Sequence, residues 1–161
     1  MPPLVYLDTC CLNRPSDDQR QPRVHLEAEA VVTILAAVEA GREIAWLGSA
    51  VLRTEVERNP DPERRQRALG LLRAATSWIT LESRDVARGA ALERLARFAP
   101  FDALHVAVAE RGRANVLLTT DDRFARRAAR HVGALGVAVE NPLTWLARTF
   151  PAGVPGSTDG V

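Results

Sequence analysis

Nearly unbroken apolar runs recur along the chain at residues 4–7, 44–47, 78–81, 116–119 and 137–139, in LVYL, IAWL, WITL, VLLT and VAV. None alternates apolar with polar, so each reads as a strand covered on both faces. The segments between them, 24–40, 49–59, 61–75, 83–97, 102–113 and 122–131, read as helices, and Asn141 caps a last one over 142–148. Asp61-Pro62 sets an acidic N-cap before a first-turn proline, and Gly41 is a natural helix stop. Strands alternating with helices predict a parallel sheet with helices on both sides. The expected fold is α/β: a three-layer α/β/α sandwich around a parallel five-stranded sheet. It forms one domain over residues 1–149, followed by a disordered Pro-, Gly- and Ser-rich tail over 150–161.

Composition narrows the chemistry more than the fold. At 161 residues, 47% apolar and 25% charged, the chain suits one soluble folded unit. No apolar run approaches the roughly 18 residues of a membrane helix. The start, MPPLVYLDTC, has no basic stretch of a secretory signal, so a cytoplasmic protein is expected. Cys10 and Cys11 are adjacent, which excludes a disulfide framework and the pairwise spacing of a structural zinc site. All 21 basic residues are arginine. Without lysine there is no Schiff-base chemistry and no P-loop phosphate site. A net charge of +1 is not the footprint of a dedicated nucleic-acid binder, and 5% aromatics argues against extensive base stacking.

The acids fall in telling places. In open α/β sheets ligands bind outside the carboxyl ends of the strands. Asp8 follows the first strand in LDTCCLN, and Asp121 and Asp122 follow the fourth in LLTTDDRF. Asp102 opens the helix PFDALHVAVAE. Each of these has an ordinary explanation as a turn or helix-capping residue. Glu55 is harder to place that way. With Val51 at 0° and about 100° per residue, Glu55 falls near 40°, inside the apolar arc shared with Leu52 and Val56. A glutamate there costs several kcal/mol unless it is paired, with an arginine for instance, or metal-bound. Asp102 and His105 share one face of an otherwise apolar helix. His105 reads first as a hydrogen-bonded core histidine. Carboxylates about 4 Å apart repel by roughly 4 kcal/mol per pair at an effective dielectric near 20, so a cluster of them needs protons or a cation. Oxygen ligands of this kind suit magnesium or manganese, which activate water against phosphodiesters.

In order, LDTCCLN, SAVLRTE, FDALHVAVA, LLTTDDRF and VAVENPLTWL resemble the PIN-domain ribonucleases, in particular the VapC-like toxin branch of type II toxin–antitoxin systems. The resemblance runs from about Pro3 to Leu146. It implies a PIN-like sandwich and Mg2+- or Mn2+-dependent cleavage of RNA, with one or two ions held by Asp8, Glu55, Asp102 and Asp121. Asp121 is preferred to Asp122 because Thr119, Asp121 and Phe124 match the family's Thr-x-Asp-x-x-Phe. Thr9 and Thr119 would orient carboxylates and waters, with Asp122 and His105 behind the ligands. A cognate antitoxin and a homodimer are also implied.

The polar stretch NRPSDDQRQPR departs from the family pattern and reads as a solvated loop beside the active edge. Within it Asn13 and Arg14 are the candidates for touching substrate. Arg123 heads a further cluster with Arg126, Arg127 and Arg130, suited either to phosphate or to a solvated helix face. Leu69, Leu71 and Leu72 are candidates for facing a partner. A haloacid-dehalogenase-like phosphatase needs an acid where Cys10 stands, and it needs a lysine; a phosphate-receiver domain also fails on the lysine. A catalytically silent PIN-like module binding RNA or a partner is the alternative from another functional class.

Overall fold

A sheet whose strands are apolar on both sides must be covered twice, and the chain does this in order. The computed structural model describes residues 1–156. It contains β1 (Leu4–Leu7), α1 (Thr9–Asn13), a 3-10 turn (Arg14–Ser16), α2 (Pro22–Ala40), β2 (Ala45–Ser49), α3 (Ala50–Glu57) and α4 (Pro62–Leu72). Then come β3 (Ser77–Ile79), α5 (Ser83–Ala96), α6 (Pro100–Arg111), β4 (Val116–Leu118), α7 (Asp122–Arg130), β5 (Ala138–Glu140) and α8 (Pro142–Thr149). All four strand pairings are parallel, in the order β3-β2-β1-β4-β5. The expected architecture is the one observed.

The period of two hidden inside each apolar run sorts its side chains into two cores. Val5, Leu7, Trp46, Val116 and Leu118 point to one face, where Val31, Ile34 and Val38 of α2 and Trp145 of α8 cover them. Tyr6, Leu47 and Leu117 point to the other, against Leu92 of α5 and Val106 of α6. Gly41 stops α2 with a left-handed φ of +74°, as its position in the sequence implies.

Several local expectations are corrected. The edge strands are covered less than expected, since Ser77, Trp78 and Ala138 are exposed; the apolar pattern does not reveal a strand's place in the sheet. LDTCCLN ends in a helix too short for periodicity to show. The polar stretch after it is tethered, with Arg64 of α4 donating to Asp17 and to the Ser16 carbonyl. Leu72 is buried, and Leu69 and Leu71 pack partly against the same core, so α4 spends its leucines inside the chain. Of the expected tail, residues 157–161 lie outside the described residues. Within 150–156, Val154 joins the core at 7% exposure and Phe150 meets Trp145 edge-on at 6.2 Å. Among the described residues no helix is long and apolar enough to cross a membrane.

The strand order places a crevice in the sheet. β2 and β3 lie to one side of β1, β4 and β5 to the other, so successive crossovers reverse direction between β1 and β4. Such a switch point leaves an opening at the carboxyl ends of the two strands. Asp8 and Asp121 leave the sheet there, where the Asp8 N–H donates to the Leu118 carbonyl at 3.1 Å.

Candidate active site

Helix capping fixes two of the four carboxylates. Asp8, in extended backbone, caps α1 by accepting from the Cys11 N–H at Oδ1 (3.1 Å), and the Cys10 thiol donates to the same oxygen at 2.9 Å. It is 3% exposed, and burial followed by the neighbouring Cys10 pushes its carboxyl well above the usual range. Asp121 caps α7 in the same way, with Oδ1 accepting from Arg123 (2.9 Å) and Phe124 (3.3 Å), but it is exposed. Its own N–H donates to Thr119 Oγ1 at 3.0 Å.

Helical phase supplies the other two. Glu55 of α3 turns inward, and its Oε1 accepts from the Thr9 hydroxyl and from His105 Nε2 at 2.9 Å. Burial raises its carboxyl, but the His105 and Thr9 bonds outweigh burial and hold it below the usual value. The partner of this inward glutamate is therefore a histidine, not the arginine that pairing alone would favour. Asp102 sits in the first turn of α6, which starts at Pro100 behind Ala99, so it is not the cap. Its carboxyl is pushed up to about 7, first by burial and then by the charge of Asp8, with Glu55 and Asp121 adding and His105 opposing. The four side chains, distant in sequence, share one electrostatic field.

Behind Glu55 runs a buried chain that the sequence does not announce. His105 Nδ1 lies 2.6 Å from the Tyr6 hydroxyl, which lies 2.7 Å from Ser49 Oγ; Ser49 caps α3 by accepting from Leu52 N–H at 3.0 Å. Tyr6 reads as one more apolar residue of a strand. Only its parity, pointing to the α6 face, could have flagged it. Cys10 is a second omission, lying between Asp8 and Thr119 Oγ1 (3.3 Å).

The remaining candidates divide. Arg123 lines a cleft of about 310 Å³ together with Asp102, Asp121, Phe98, Phe124 and Arg127. Arg14 instead points into the scaffold, donating to Asp17 at 3.0 Å and to the buried Glu27 at 2.9 Å. Asp122 is held by a two-pronged Arg23 at 2.6 Å and makes no hydrogen bond to the other acids. Asn13 closes α1, half-buried.

Among the described residues no three His, Cys, Asp or Glu side chains converge closely enough to enclose an ion by themselves. The donor chemistry nonetheless fits a hard divalent cation. Hydrogen bonds engage Oδ1 of Asp8, Oδ1 of Asp121 and Oε1 of Glu55, with Thr119 also acting on the Asp8 carboxyl; among the described residues the second oxygens of Asp121 and Glu55 and the carboxyl of Asp102 accept no hydrogen bond. Magnesium characteristically takes one or two carboxylates and keeps several waters.

Parallel strands with acids gathered at their switch point define an open α/β domain with an acidic crevice. The PIN domain model matches residues 5–130, and the chain belongs to that family, whose members are typically metal-dependent nucleases. Among solved structures it resembles VapBC2 from Rickettsia felis bound to a DNA fragment from their promoter, at 14% identity and a TM-score of 0.54, covering 86% of this chain and 98% of that one. PAE2754 from Pyrobaculum aerophilum matches at 16% identity and a TM-score of 0.50, covering 94% and 99%. No curated protein sequence matches the chain.

Proposed function

We propose that the chain is a divalent-metal-dependent endoribonuclease acting in the cytoplasm as the toxin of a toxin–antitoxin pair. Asp8, Glu55, Asp102 and Asp121 would hold Mg2+ or Mn2+, one ion or two. When bound, the ion supplies acidification of water and neutralisation of charge for in-line attack on a phosphodiester, leaving a 5′-phosphate and a 3′-hydroxyl. The chain's own residues prepare that step. Asp102, with its carboxyl at about 7, would give up its proton to bind a cation. Thr9 and His105 fix Glu55, Thr119 fixes the backbone turn that presents Asp121, and Arg123 at the cleft wall is placed to meet a phosphate.

The observation that carries this reading is the Asp102 carboxyl at about 7 under the charges of three other acids. A protein with only a folding task for these residues would gain by replacing them. The structural likeness to a VapBC2 complex supports an antitoxin partner, and a homodimer is carried by the family resemblance alone.

The test is RNA cleavage by the purified protein with Mg2+, with Mn2+ and with EDTA, beside Asp8→Asn and Glu55→Gln. Cleavage that requires the metal and falls at least about a hundredfold in both variants, with unchanged circular dichroism, is expected. Absence of any metal-dependent cleavage would leave a silent RNA- or partner-binding module.

A further inference from the structure

Tyr6, Ser49 and His105 are each 0% exposed, so no solvent exchanges with the hydrogen bonds among them. Their polarity follows from counting donors. Glu55 Oε1, held as a carboxylate oxygen, can only accept, so His105 Nε2 carries a hydrogen. The Leu52 N–H donates to Ser49 Oγ, leaving the Ser49 hydroxyl hydrogen for the Tyr6 oxygen. The Tyr6 hydrogen then goes to a bare Nδ1 at 2.6 Å. Every donor finds an acceptor in that single direction, from Leu52 through Ser49, Tyr6 and His105 to Glu55.

The other neutral tautomer fails at Glu55. An imidazole protonated only at Nδ1 would set a bare Nε2 against a carboxylate oxygen 2.9 Å away.

We propose that Tyr6 is a positioning residue for Glu55, acting through His105. The buried phenol fixes the imidazole as its Nε2–H tautomer, and that tautomer holds Oε1 of Glu55 while Oε2 remains free for the cation. The proposal deepens the nuclease reading and rests on it for the cation. The tautomer itself does not depend on that reading.

Tyr6→Phe removes one hydroxyl and keeps the ring that lies 5.5 Å from the imidazole. Two measurements on the full chain test the idea without RNA. Nitrogen-15 spectra of labelled histidine report which ring nitrogen of His105 is protonated, and loss of the free-ion EPR signal reports Mn2+ affinity. Wild type is expected to show the Nε2–H form, and Tyr6→Phe a mixture of forms. Mn2+ affinity is expected to fall about tenfold in the variant, with an unchanged far-UV spectrum. His105→Gln replaces the imidazole by an amide donor that has no tautomer to set, so adding Tyr6→Phe to it should change the affinity less than about twofold. Protonated Nδ1 in wild type overturns the proposal, as does a Tyr6→Phe protein that keeps either the wild-type spectrum or the wild-type affinity. An equal loss from Tyr6→Phe in the wild-type and His105→Gln backgrounds also overturns it, because a merely structural role predicts that result. If wild type binds no Mn2+ and cleaves no RNA, the nuclease reading falls and with it the role toward the cation. The spectra then still decide whether Tyr6 sets the tautomer.

Discussion

Replacing Asp102 by asparagine should make the metal-free protein more stable, and only above acidic pH. Its carboxyl is raised from the ordinary 3.8 to about 7 by burial and by Asp8, Glu55 and Asp121. A raised carboxyl means that the folded state holds the proton more tightly than the unfolded chain does. Its ionisation therefore costs stability progressively as pH rises from about 4 to about 7, and the cost levels off above that. At 1.36 kcal/mol per pH unit the plateau is about 4 kcal/mol. Against it stands the loss of an acid from the first turn of α6, worth up to about 1 kcal/mol. About 3 kcal/mol of net stabilisation remains at pH 8, a rise in Tm of roughly 6–12 °C for a chain of this length. At pH 4 the two proteins should melt together. Thermal unfolding at both values, in EDTA and then in Mg2+, is the assay. Mg2+ should stabilise wild type and close most of the gap at pH 8, because the variant has lost a negative charge from the site. An Asp102→Asn protein equal to or less stable than wild type at pH 8 in EDTA would refute the claim that four carboxylates strain one another here.

Two other outcomes are expected on the same grounds. Mn2+ binding should release protons, more at pH 6 than at pH 8, because the Asp102 carboxyl lies at about 7 and that of Asp8 is raised as well, so that affinity climbs with pH; titration calorimetry in buffers of different ionisation enthalpy measures both. Leu117→Ala should lower stability by about 2–5 kcal/mol in urea, since Leu117 is fully buried in the middle of the sheet between β1 and β5.

The sheet is legible in the sequence because both faces are covered, which forces unbroken apolar runs that helices then separate. Glu55 is legible because a charged residue inside an apolar arc demands an explanation, and His105 because it shares a face with Asp102. What stays hidden depends on contacts between segments far apart in the chain. Arg14, close to the first acid in sequence, looks like a substrate ligand. Its partner is Glu27, buried on the opposite side of the loop, which also accepts from Asn141 of the last turn before α8. Asp122 looks like a neighbour of the site by adjacency, but it belongs to Arg23 of α2, 99 residues away. Tyr6 is invisible because hydropathy scores a ring and not the hydroxyl at its end.

Capping and metal binding look like alternatives for Asp8 and Asp121, and the geometry removes the opposition. A carboxylate has two oxygens. In both residues the backbone N–H groups of the following helix take Oδ1, which fixes the plane and direction of the group. Glu55 repeats the arrangement with Thr9 and His105 on Oε1. Each acid is thus oriented through one oxygen, so that under the proposed reading a cation would meet side chains whose rotamers are largely set, at little entropic cost. Asp102 alone has no such tether, and it is also the one whose carboxyl rises to about 7. Of the tethered acids, Glu55 is held below the usual range by its His105 and Thr9 bonds, whereas burial raises Asp8 as well. The untethered fourth, facing all of them, is raised to about 7 by burial and by their charge, so a bound cation would have to displace its proton.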